Sequence, residues 1–96
     1  MKKAEFLYPA ENEMLEAAEY YERQVKGLGS AFLREVQRAV KAVENNPEIW
    51  EVVRGNVRRR LVKRFPYGIL YRIEPIKIIV VAVMHLHRNP NYWYDR

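Results

Sequence analysis

Both histidines of the chain stand two apart in Met84-His85-Leu86-His87-Arg88, at the end of its most apolar run, with Tyr92 and Trp93 just beyond. A His-x-His pair on a strand points two imidazoles to one side, which suits the start of a zinc or iron site, but a third and usually a fourth ligand are required. The chain has no cysteine, Glu74 and Asp95 are the only carboxylates from Arg54 onward, and the arginines nearby repel a cation. No metal is expected, and no cofactor. Ser30 is the single serine and threonine is absent, so a hydroxyl or thiol triad has no candidate. Gly27-Leu28-Gly29 has neither the length nor the lysine of a phosphate loop. Cleavage of RNA makes smaller demands, because the substrate supplies its own 2′-hydroxyl nucleophile. The protein must then move two protons and hold the charge that develops on phosphorus. Imidazole titrates near working pH, and guanidinium pairs with phosphate through two parallel hydrogen bonds. Arg60, Arg64, Arg72, His85 and Arg88 are the candidates for that chemistry, with Arg58, His87 and Trp93 as candidate binding residues. Tyr92 and Trp93 offer rings on which bases could stack. The plainer alternative is that a histidine satisfies a backbone carbonyl at a strand end while Tyr92 and Trp93 pack against the sheet.

The elements that must position these residues follow from periodicity. Lys3 to Tyr8, with Phe6 and Tyr8 on alternate positions before Pro9, reads as an edge strand. From Pro9 to Lys26 the apolar spacing turns helical, with Met14, Ala18, Tyr21 and Val25 on one stripe and five glutamates mostly outside it. Gly27-Leu28-Gly29 breaks the helix, and Ser30 is the expected N-cap of a second one striped by Phe32, Val36, Ala39, Val40 and Val43. That helix stops at Asn45-Asn46-Pro47, and the tight junction makes the two an antiparallel hairpin. Strands are expected over 57–65, over 68–74 around the turn residues Pro66-Tyr67-Gly68, and over 77–87. The last has branched apolar residues at both parities, as a strand covered on both faces does. The fold class is therefore α+β, in the order β-α-α-β-β-β, with a helical hairpin on a three- to four-stranded antiparallel sheet. If the helices cover Val57, Leu61 and Phe65, alternation turns Arg58, Arg60, Arg64 and Arg72 to the open face. His85 and His87 share the parity of Lys77 and are expected on that same face, completing a basic concavity.

A chain of 96 residues supports one core, so residues 1–96 are expected to form a single domain. Half of the residues are hydrophobic and 30% are charged, ordinary for a soluble globular protein. The net charge of +5 is unevenly spread. Residues 1–53 hold seven Lys or Arg against ten Glu, a net of −3, whereas 54–96 hold ten against two acids, a net of +8. Such a field attracts phosphate or an acidic protein surface. The lack of cysteine, of a signal-like apolar segment after Met1-Lys2-Lys3 and of any bilayer-length run points to the cytoplasm and away from membranes.

Taken together, the words RRRLVKRFPYGILYRIE and IIVVAVMHLHRNP resemble the RelE/ParE superfamily of toxins from type II toxin–antitoxin systems, and its ParE-like branch in particular. The preceding PAENEMLEAAEYYERQVKGLGSAFLREVQRAVKAVENNP matches the helical hairpin of that family. The most specific parts are Arg64-Phe65-Pro66-Tyr67 leading into Tyr71-Arg72-Ile73, and Val83-x-His85-x-x-Arg88-x-Pro90. The resemblance implies a growth inhibitor neutralised by a cognate antitoxin, as a homodimer or as a heterotetramer with that partner. The superfamily divides between inhibition of DNA gyrase, the ParE-like activity favoured by the C-terminal words, and ribosome-dependent cleavage of mRNA, the RelE-like one, for which the resemblance implies a catalytic place for Tyr92 and a binding place for Lys63 beside Arg60, Arg64 and Arg72. A non-toxic module binding nucleic acid or an acidic peptide is the third reading.

Overall fold

The computed structural model describes all 96 residues. Strand β1 (Lys3–Phe6) leads into helices α1 (Tyr8–Gln24) and α2 (Leu28–Asn45), followed by β2 (Glu51–Arg54), β3 (Val57–Leu61), β4 (Tyr67–Ile73) and β5 (Lys77–His85). The expected α+β order is present with one strand more, because Glu51–Arg54 pairs antiparallel with β3 around a Gly55-Asn56 turn. Gly55 has φ 57, where a side chain would be strained. Gly-Asn between two extended runs is a hairpin signal, so this strand was present in the sequence pattern.

The sheet order is β1-β5-β4-β3-β2, parallel only between β1 and β5. Two cores lie on its two faces. The larger joins Phe32, Val36, Ala39 and Val43 of α2 and Ala10, Ala17 and Ala18 of α1 to Ile69, Tyr71, Ile78, Val80 and Val83 of the sheet. Tyr21, Phe32, Phe65 and Tyr67 form an edge-packed aromatic group within it, with Phe32 and Phe65 centroids 5.2 Å apart. The smaller core, on the opposite face, holds Val57, Leu70, Ile79, Val81, Ala82, Met84 and Trp93, so the C-terminal segment covers what the helices do not. Coverage on both sides explains the apolar residues at both parities of β5.

Two registers differ from simple alternation. Along β5 the pairing with β4 jumps from Tyr71↔Val80 to Leu70↔Ala82, leaving Val81 as an extra residue. A bulge of this kind reverses the parity of everything after it. Val83 and His85 consequently lie on the helix side, whereas the parity of Lys77 leads to the other face. In β3, Arg58 is opposite Tyr71 and Arg60 opposite Ile69, so these two arginines share the helix-side face, while Val57 is opposite Arg72 on the other. The expected assignment of Val57 and Leu61 to the helix side is thus inverted, and Phe65 reaches the larger core only because β3 ends at Leu61 and the chain turns.

Candidate functional site

The bulge at Val81 aims His85 into a cleft of about 310 Å3 between α1 and the adjoining ends of β4 and β5. Glu13, Glu16, Tyr20, Tyr67, His85 and Arg88 line it. His85 packs edge-on against Tyr67 at 5.1 Å and against His87 at 5.3 Å. Its Nδ1 accepts the His87 backbone N–H at 3.1 Å, so neutral His85 carries its proton on Nε2. Burial, followed by neighbouring Tyr21, Tyr20 and Glu13, raises the Tyr67 phenol above its ordinary ionisation range.

Beneath the cleft, Glu13 ties three elements together. Its Oε1 accepts the Val83 N–H at 3.0 Å, and its two oxygens accept from Arg96 at 3.0 and 3.1 Å. Arg96 also donates to the Val81 carbonyl at 3.1 Å, and Arg88 stands 3.7 Å from the same carboxylate. Strand β1 accompanies β5 only as far as Val80, and these contacts satisfy part of the edge that continues beyond it. Tyr92 lies under Arg88, whose guanidinium is 3.8 Å from the ring centroid. The Tyr92 hydroxyl is buried near Glu13 outside hydrogen-bonding geometry, and burial chiefly, with that carboxylate, drives its ionisation far above the usual phenol range. Glu13 was expected on the acidic outer face of the first helix. Its spacing from Ala10 and Ala17 puts it on their buried face, the signal that identifies it as a partnered interior acid.

The basic concavity expected from alternation is not formed. Arg58 donates from Nη1 to the carbonyls of Glu48 and Trp50 at 2.8 Å each, holding the connection between α2 and β2. Arg60 lies over the Trp50 ring at 4.8 Å and donates to the Leu61 carbonyl. Arg72 points to the opposite face, paired through Nε with Glu74 at 2.8 Å. Lys63 and Arg64 are exposed in the turn after β3, where Arg64 adopts φ 72 and lies over Phe65. His87 is exposed beside His85. Trp93 is only 3% exposed, which removes it as a stacking platform for bases, and the half-buried Tyr92 already carries Arg88 on its ring. Of the proposed site residues, the structure brings together His85, His87, Arg88 and Tyr92. No three His, Asp or Glu side chains gather as a metal site would require.

The cleft therefore offers an imidazole N–H, two phenols, Glu16 and a partly neutralised arginine, a set suited to recognising a polar surface. A separate and larger groove of about 590 Å3 runs between α1, α2 and β1, with Phe6, Met14, Leu15, Leu33, Val36 and Val40 in its walls. Lys41 shares that groove and adjoins Arg34 and Arg38 on the exposed side of α2. No helix is long and apolar enough to cross a membrane.

Among solved structures, the chain is similar to one titled the chromosomal ParDE TA system from P. aeruginosa, at 15% identity and a TM-score of 0.68. That likeness spans 91% of this chain and 98% of the other, and at such identity it speaks for the fold. No curated protein matches. Residues 5–90 match the family described as ParE toxin of type II toxin-antitoxin system, parDE, which takes in the end of β1, the helical hairpin, the other four strands and the His85-to-Pro90 ending. The chain belongs to the ParE toxin family of type II toxin–antitoxin systems.

Proposed function

We propose that this protein arrests growth by inhibiting DNA gyrase and that a cognate antitoxin neutralises it. Family membership over residues 5–90 carries the reading. Geometry supports it by subtraction. Phosphodiester cleavage needs several cations converging on one phosphorus, yet Arg58, Arg60 and Arg72 are engaged on separate parts of the sheet. Among the residues lining the His85 cleft the one Lys or Arg is Arg88, facing Glu13. The antitoxin presents an apolar segment with acidic flanks, complementary to the groove between the helices and to Arg34, Arg38 and Lys41 beside it.

Induction of this protein alone should stop colony formation, and co-expression with the antitoxin from the neighbouring reading frame should restore it. Purified protein at micromolar concentration should block gyrase supercoiling or raise gyrase-linked DNA breaks. Intact gyrase activity together with codon-mapped cleavage of translated messages would replace this reading with the mRNA endonuclease. Normal colonies on induction would leave the non-toxic binding module.

A further inference from the structure

On the sheet face away from the helices, a cavity of about 200 Å3 opens between the Gly55-Asn56 turn and the C-terminal segment. Arg54, Asn56, Arg72, Trp93, Tyr94 and Arg96 are in its walls, and no Asp or Glu side chain lines it. Each guanidinium is held by a different device. Arg54 lies 3.4 Å from the Tyr94 ring centroid, a contact that places the cation without neutralising it. Arg72 uses Nε for Glu74, so its two terminal nitrogens stay available. Arg96 is anchored by Glu13 and the Val81 carbonyl. Three cations thus stand against Glu74 and a Glu13 that Arg88 also approaches, which leaves positive charge in excess. Trp93 is 3% exposed, and its ring closes one side of the cavity.

We propose that this cavity binds a single phosphoryl group, held by Arg54, Arg72 and Arg96 beside the Trp93 ring. Its volume is below the range of about 300–1,000 Å3 for whole small-molecule sites, which fits one oxyanion and not a nucleotide. A phosphoryl group offers three acceptor oxygens and a charge of about −1.5 to −2 at neutral pH, a closer match to several guanidiniums than a carboxylate with two oxygens and one charge. The site is separate from the His85 cleft and does not depend on gyrase being the target.

The test uses 15N-labelled full-length protein titrated with inorganic phosphate at constant ionic strength, followed through its two indole N–H resonances. Trp50 is the internal control, because it packs against the other core. The Trp93 resonance should move saturably while that of Trp50 stays, and acetate should be at least about tenfold weaker. Arg54→Gln removes an exposed side chain with no ion pair, and should weaken phosphate binding about tenfold without changing the melting temperature. Asn56→Asp, which adds a carboxylate to the rim and removes no arginine, should weaken it as well. Equal, unsaturated drift of both indoles, an equal response to acetate, or unchanged affinity in both variants would overturn the proposal.

Discussion

Glu13 shows how much one side chain can organise. Its carboxylate accepts from a backbone N–H of β5 and from the guanidinium of Arg96, and it is largely withdrawn from water. Glu13→Ala would leave both donors unpaired, and removing one member of such a buried set costs about 2–4 kcal/mol. Glu13→Gln keeps an oxygen for the Val83 N–H but gives up the charge and the second acceptor for Arg96, so its loss in urea unfolding should be smaller. Equal losses would mean that the ion pair, and not the backbone contact, carries the effect. The residue types were legible in the sequence: imidazole, guanidinium and aromatic side chains do meet at His85, His87, Arg88 and Tyr92. Their setting was less so, because alternation defines two faces without saying which one the helices cover. Arg58 and Arg60 come to the helix side on β3, one strand in from the β2 edge, where long apolar stems can lie on the surface and the charged ends can reach carbonyls and Trp50.

The junction of α1 and α2 is where local rules gave way to a contact between elements. Ser30 was the expected N-cap, but α2 begins at Leu28 after Gly27 in the left-handed region, and the cap comes from the preceding helix. Glu22 accepts the N–H groups of Gly27 and Gly29 at 2.8 and 2.9 Å. These bonds stabilise the charged carboxylate and lower its pKa below the ordinary 4.5. A depressed carboxylate contributes stability that is fully present above its unfolded value and is lost as pH falls through the folded one. Melting temperatures followed from about pH 6 to about pH 3 should therefore fall less steeply for Glu22→Gln than for the parent. Gly29 has a different constraint. A Cβ there would sit 2.4 Å from the Ala18 carbonyl oxygen, so the helices cross where only glycine fits. Alanine is the better helix former by about 1 kcal/mol, but overpacking against backbone costs about 1–3 kcal/mol. Gly29→Ala should lower stability, and a rise in melting temperature would show that the crossing is looser than described.

Across the whole molecule, the charge halves and the two cores follow the same division. The acidic half supplies β1, the helices, most of β2 and one cover of the sheet, whereas the basic half supplies β3, β4, β5 and a second cover in the C-terminal segment. The order of elements could be read from periodicity, but the Val81 bulge could not, since a strand apolar at both parities gives no sign of where one residue is skipped. The second cover depends on Trp93, which closes the core of Val57, Leu70, Ile79, Val81, Ala82 and Met84. Replacing it by alanine removes the ring from a nearly closed site, and such deletions cost about 3–5 kcal/mol. Against a total stability of about 5–15 kcal/mol, this is enough to raise the fraction with an open β face. Trp93→Ala should therefore unfold at lower denaturant and bind a hydrophobic dye before the main transition. Trp93→Phe is the decisive comparison, because the indole N–H has no protein acceptor to lose and only volume is given up. It should recover most of the stability in phosphate-free buffer. If phenylalanine performed no better than alanine there, the indole nitrogen would have a partner in the protein, and the second core would owe its closure to that bond.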